Sequence, residues 1–122
     1  MNFSFHPEAE SEFNEAIDYY EEIEHGLGYD FAGEVYLCIQ RILEYPEAWT
    51  IIDDEIRRSL VNRFPFGILY SIEDKEIYIL AVMPLHKEPG YWKARGWHLY
   101  RATSPNRKTN RNSCTSLRLL FS

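Results

Sequence analysis

Hydrophobic residues in the first 45 positions recur at steps of three and four, the spacing of one face of a helix. A first stripe runs through Ala9, Phe13, Ala16, Ile17, Tyr20 and Ile23, and a second through Phe31, Val35, Cys38, Ile39 and Ile42. Pro7 suits a first helical position, because its missing N–H has no acceptor there. Two glycines in "EHGLGYD" separate the stripes. The pattern predicts an antiparallel helical hairpin that starts near residue 7 and stops at Pro46.

The period changes to two from Trp49 onward, which indicates strands. The stretches "EIRRSLV", "FGILYSI" and "EIYILAV" are rich in β-branched and aromatic residues, and "EDK" between the last two predicts a tight hairpin. The opening "NFSF" alternates and predicts one more short strand. Each helix has a single apolar stripe to bury. We therefore predict an α+β fold, with the helical hairpin packed on one face of a small antiparallel sheet.

Length and composition fit one domain: the chain has 122 residues, 45% of them hydrophobic and 16% aromatic. The start lacks the basic and apolar regions of a signal peptide, and "IYILAV" is far too short to span a membrane. These features predict a cytoplasmic protein. Cys38 and Cys114 fit no metal or redox spacing, the four histidines are scattered, and no phosphate-binding loop is present. We expect neither a metal nor a cofactor.

Charge is distributed unevenly along the chain. Residues 1–48 carry twelve acidic groups and one Arg, a net charge of −11; residues 49–95 carry seven of each sign; residues 96–122 carry five basic groups, and the sum is −6. An acidic first half opposes broad contact with nucleic acid. The last segment is polar, basic and without periodicity. We therefore predict a functional domain over 1–95 and a disordered basic extension over 96–122.

The order strand, helical hairpin, meander, together with "RRSLVNRFPFGILYSIEDKEIYILAVMPLHKEPGYW", resembles the RelE/ParE superfamily of toxins from type II toxin–antitoxin modules. The ParE-like, plasmid-stabilisation branch is the most similar. The matching features are an Arg-bearing second strand with Arg57 and Arg58, a third strand that begins at Arg63, and a His followed by "PGYW" and Arg95. The resemblance covers residues 3 to 95, and the basic extension matches nothing in the family.

The resemblance implies a growth-arresting toxin that a cognate antitoxin neutralises, with two mechanisms in the family. ParE-like members bind DNA gyrase and need no catalytic residues. RelE-like members cut mRNA in the ribosome, which requires a proton acceptor, a proton donor and cations for the phosphate. An acidic domain without a lysine cluster on its second strand favours the ParE-like mechanism. A third interpretation is an inactive, toxin-derived binding module.

Candidate residues follow from these mechanisms. No catalytic residue is favoured; an RNase would use Arg58, Arg63, His86 and Tyr91. Arg63 also precedes "FPF", and the resemblance implies that it faces the same concave region as the chain end. Tyr91 and Trp92 offer the large rigid surfaces typical of interface hot spots. The predicted partner-binding residues, for the antitoxin and gyrase, are Arg57, Arg63, Tyr91, Trp92, Lys93 and Arg95.

Overall fold

The computed structural model describes residues 1–87 and 90–95, and the predicted basic extension over 96–122 lies outside the described residues. In chain order the elements are β1 (Phe3–Phe5), α1 (Pro7–Ile23), α2 (Leu27–Glu44), β2 (Thr50–Asp53), β3 (Ile56–Leu60), β4 (Phe66–Glu73), β5 (Glu76–Pro84) and a 3₁₀ turn (Lys93–Arg95). The predicted α+β fold is confirmed.

Local sequence explains the ends of the helical hairpin. Pro7 opens α1, and the His6 Nδ1 atom accepts a hydrogen bond from the Glu8 N–H at 3.0 Å. At the turn, the Glu21 carboxylate accepts from the N–H groups of Gly26 and Gly28 at 2.9 to 3.1 Å. Gly26 has a φ of +89°, and a Cβ on Gly28 would lie 2.5 Å from the Ile17 carbonyl oxygen. The two glycines therefore allow the chain to reverse and the helices to approach closely.

The five strands form one sheet in the order β1-β5-β4-β3-β2. The predicted "EDK" hairpin joins β4 to β5, with Asp74 and Lys75 at φ values of 50° and 64°. β1 pairs with β5 in parallel at one edge, and β2 pairs with β3 at the other. The periodicity did not separate β2 from β3. Arg57 and Arg58 consequently lie on the third strand, not on the second as the resemblance implied.

Each face of the sheet has its own hydrophobic cluster. The helices cover the first face, where Phe5, Phe13, Phe31, Ile39 and Ile68 are among the fully buried side chains. A smaller cluster covers the second face and contains Leu69, Tyr78, Leu80, Ala81, Met83 and Trp92. A register shift in the β4–β5 pairing turns both Leu80 and Ala81 toward the second face. The sheet is therefore buried on both faces, the second by residues that follow β5.

Candidate functional site

The segment after β5 folds back over the second face of the sheet. The Leu85 N–H donates to the Pro65 carbonyl at 2.9 Å, and the Lys87 N–H donates to the Pro84 carbonyl at 3.1 Å. Further on, the N–H groups of Lys93 and Arg95 donate to carbonyls three residues earlier and form the 3₁₀ turn. This segment carries five of the predicted site residues: His86, Tyr91, Trp92, Lys93 and Arg95.

Trp92 anchors the segment. Its side chain is 3% exposed and packs in the second-face cluster with residues of β4 and β5. Burial of an indole of this size contributes about 2 to 3 kcal/mol to stability. The predicted role of Trp92 as an interface residue would require the segment to open first. In the described structure the Trp92 side chain is part of the hydrophobic cluster on the second face of the sheet.

Arg95 joins the segment to α1 and to the edge of β5. Its side chain is 12% exposed; Nε lies 3.0 Å from the Glu8 carboxylate, and Nη1 lies 2.9 Å from Glu12 Oε1. Nη1 also donates to the Leu80 carbonyl at 3.3 Å, and Glu12 Oε1 accepts from the Val82 N–H at 3.1 Å. β1 pairs with β5 only as far as Ile79. The Glu12–Arg95 pair therefore satisfies backbone groups of β5 that lie beyond the end of β1.

Tyr91 lies half-buried between two cations. Lys87 Nζ is 4.5 Å and the Arg95 guanidinium carbon 5.0 Å from the centroid of its ring. Burial, and then the nearby Glu12 carboxylate, raise the pKa of the hydroxyl far above its usual value. The hydroxyl therefore stays protonated at neutral pH, and the ring contacts both Lys87 and Arg95.

His86 and Lys87 are exposed in the turn after β5 and line one wall of a groove of about 600 Å³. Glu12, Glu15 and Tyr19 of α1 line the opposite wall, and the floor contains Ala16, Phe66, Val82 and Pro84. His86 has no hydrogen bond or ion pair among those described. It can reach solvent and the groove, but it does not meet the predicted arginines there.

The adjacent arginines of β3 lie on opposite faces of the sheet, since Arg57 pairs with Tyr70 of the first face and Arg58 with Leu69 of the second. Arg57 Nη1 donates to the backbone carbonyls of Glu47 and Trp49 at 3.0 and 2.7 Å. Arg57 therefore holds the loop between α2 and β2.

Arg63 lies in the loop before β4 and engages α2. Its guanidinium nitrogens are 3.7 Å from Asp30 and 3.8 Å from Glu34, and its carbon is 5.4 Å from the centroid of Phe64. The side chain is 57% exposed, so these ion pairs contribute little to stability. The resemblance implied that Arg63 faces the same region as the chain end. Arg63 instead contacts α2, whereas Arg95 contacts α1 and β5.

A second concavity, which we call the α2–β3 cleft, was not predicted from the sequence. It measures about 320 Å³ and is lined by Arg41, Trp49, Thr50, Arg58, Leu60 and Asn62. Arg41 lies in the last turn of α2, and Thr50 pairs with Arg58 where β2 begins. One signal in the sequence pointed to it: Arg41 is the single basic residue among the first 48 positions. Two of the lining residues are arginines, whose charge favours an anion there.

The described residues form neither a metal-binding cluster nor a membrane-spanning helix. Over residues 1–87 and 90–95, no group of three or more His, Cys, Asp or Glu side chains is arranged to hold a metal ion. No helix in these ranges is both long and apolar enough to cross a membrane. Cys38 is buried, and its thiol lies 3.3 Å from the Ser59 hydroxyl, an environment that raises its pKa through burial. The thiol is therefore neutral and poorly reactive.

The four residues named for an RNase lie on three parts of the chain, namely β3, the loop before β4 and the segment after β5. Arg58 lines the α2–β3 cleft, Arg63 pairs with α2, His86 lines the groove beside α1, and Tyr91 stacks between Lys87 and Arg95. Phosphodiester cleavage needs its proton acceptor, proton donor and cations around one phosphate. The described contacts join Tyr91 to Arg95, and none of them joins Arg58, Arg63 and His86 to one another.

An α-helical hairpin on one face of a mostly antiparallel five-stranded sheet, with a parallel N-terminal strand at its edge, is the α+β fold of ParE-like toxins. The chain is similar to one chain of a solved structure, the chromosomal ParDE toxin–antitoxin system from P. aeruginosa. The TM-score is 0.61 at 15% identity, and the match covers 70% of this chain and 97% of the other. The predicted resemblance is thus confirmed at the level of the fold. No protein-family model and no curated protein sequence matches the chain.

Proposed function

We propose that this protein is the toxin of a type II toxin–antitoxin module, that it arrests growth by binding DNA gyrase in the cytoplasm, and that a cognate antitoxin neutralises it. The observation that carries the proposal is the fold shared with a chain of the ParDE system. Similarity of fold at 15% identity supports a class of protein, and the target is inferred from the site and the charge.

Charge supports a protein target. Residues 1–95 carry a net charge of −11, from −11 over 1–48 and 0 over 49–95. A domain that docks onto ribosomal RNA needs many cations, because each phosphate contact replaces bound counterions. Here Arg57, Arg63 and Arg95 are already engaged by protein oxygens. The remaining cations suit local contacts with a protein.

The chemistry of the candidate residues supports a non-enzymatic mechanism. His86 is exposed beside a groove, whereas Tyr91 keeps its proton and stacks against Lys87. A proton acceptor and a proton donor for one phosphate would have to lie within hydrogen-bond reach of it together. Exposed apolar side chains such as Tyr19 and Leu85, at 61% and 43% exposure, instead offer contact area for a partner.

Two assays with the full-length chain test the proposal. Induced expression should stop growth, and the purified chain should convert plasmid DNA to a cleaved form when gyrase and ATP are present. A reaction without gyrase is the control. Arrest of translation with mRNA cut at ribosomes would replace this function with RNase activity, and unimpaired growth would leave an inactive binding module.

A further inference from the structure

We propose that the α2–β3 cleft binds a carboxylate presented by an acidic segment of the protein partner. The inference rests on the proposed function, since it names the chemistry by which the partner is recognised. It concerns a site that the sequence did not predict, at the edge of the sheet where β2 begins beside β3.

The two cations of the cleft differ from the other arginines described. Arg57 donates to backbone carbonyls, Arg63 lies near Asp30 and Glu34, and Arg95 pairs with two glutamates. Over residues 1–87 and 90–95, neither Arg41 nor Arg58 has a carboxylate within 4.0 Å.

Arg41 and Arg58 are both partly exposed and both line the cleft. Arg41 lies near the Cys38 thiol, which is neutral because burial raises its pKa. The domain has a net charge of −11, so only a local group of cations can attract an anion to this cleft.

Neutral polar residues also line the cleft. Trp49 packs against the first-face cluster, and its indole N–H is buried without a hydrogen-bond partner in the described part of the chain. Asn62 contributes an amide and Thr50 a hydroxyl to the lining. Buried donors without partners are rare in proteins, and charged guanidiniums with neutral donors are a suitable set for an oxyanion.

Gly67 helps to position Arg58. A Cβ added to Gly67 would lie 3.3 Å from both Cγ and Cδ of Arg58. The glycine therefore allows the aliphatic part of Arg58 to lie directly over β4.

The surroundings favour a peptide over a nucleic acid as the source of the oxyanion. A nucleic acid brings many phosphates, which the acidic domain repels, whereas a peptide needs only one carboxylate at the cleft. Leu60 also lines the cleft and is 52% exposed, so it offers an apolar contact beside the charge. The expected ligand is an acidic residue flanked by aliphatic side chains.

The test uses the ¹⁵N-labelled full-length chain and two probes, acetyl-Leu-Glu-Leu-amide and acetyl-Leu-Gln-Leu-amide. NMR titration should shift the Trp49 indole signal with the Glu peptide, with an affinity about tenfold higher than that of the Gln peptide. Arg41→Gln and Arg58→Gln should each weaken binding of the Glu peptide about tenfold. Lys75→Gln, which removes a cation from the β4–β5 turn, is the matched control and should bind normally.

Equal affinities for the two peptides, or binding that neither arginine variant changes, would overturn the proposal. A single-stranded oligonucleotide that shifts the same signals at lower concentration would replace the peptide with nucleic acid. If one arginine variant fails to fold, the other variant and the comparison of the two peptides still test the proposal. The peptide titration does not depend on growth arrest. Failure of peptide binding therefore refutes only the role of this cleft, and absence of growth arrest refutes the proposed toxin function.

Discussion

The contact between Glu12 and Arg95 joins two positions 83 residues apart in the chain and is the clearest target for a stability measurement. Glu12→Ala removes the acceptor of the Arg95 guanidinium at 2.9 Å and of the Val82 N–H at 3.1 Å. Glu12 and Arg95 are 18% and 12% exposed, so water replaces these partners poorly. Of its two carboxylate partners, Arg95 would keep only Glu8, whose side chain is 66% exposed.

The expected cost follows from these contacts. A hydrogen bond to a charged group contributes about 1.5 to 3 kcal/mol, and a backbone donor left without a partner costs about 1 to 3 kcal/mol. Partial exposure favours the lower end of both ranges. We expect Glu12→Ala to lower the free energy of unfolding by about 3 kcal/mol, as measured by urea denaturation at pH 7.

Glu15→Ala is the matched control, because Glu15 is an exposed glutamate of the same helix with no ion pair among those described. Its expected effect is within about 0.5 kcal/mol. A double-mutant cycle with Arg95→Ala should give a coupling energy above about 1 kcal/mol. Equal costs for Glu12→Ala and Glu15→Ala, or a coupling near zero, would refute the role of this pair in fixing the segment after β5.

Three further predictions follow from single features. His86→Ala and Tyr91→Phe should leave growth arrest intact in an expression assay, and loss of arrest in a variant that still folds would favour RNase chemistry. Deletion of residues 97–122 should leave the thermal melting curve of the domain unchanged, and an unfolded product would show that this segment packs. Burial raises the pKa of Tyr70 from 10.0 to about 12, so the folded state holds the proton more tightly than the unfolded state. The contribution of Tyr70 to stability should therefore be full below pH 10 and fall by about 2 to 3 kcal/mol as pH rises to 12. Unfolding of Tyr70→Phe at several pH values should show a loss smaller by this amount than that of the unaltered chain, and an unchanged profile would contradict the prediction.

Much of the fold could be predicted because its rules act over a few residues. The helical stripes, Pro7 at the start of α1 and the Asp74–Lys75 turn are local features, and the structure confirms the elements they predicted. β2 was missed because its four residues, with a turn at Asp54, are too short for period two to separate them from β3. The α2–β3 cleft was missed because Arg41 and Arg58 meet only after α2 and β3 have packed.

The sequence by itself determined most elements of this protein and its acidic character, since periodicity, turn residues and charge need no knowledge of distant contacts. The tertiary structure decided what each functional candidate touches. It set Trp92 in the second-face cluster, Arg95 against α1 and Arg63 against α2. The physical reason is that ion pairs and burial depend on which strand edge and which helix face come together. These contacts depend on packing across the sheet between residues that lie far apart in the sequence, so local sequence patterns do not predict them.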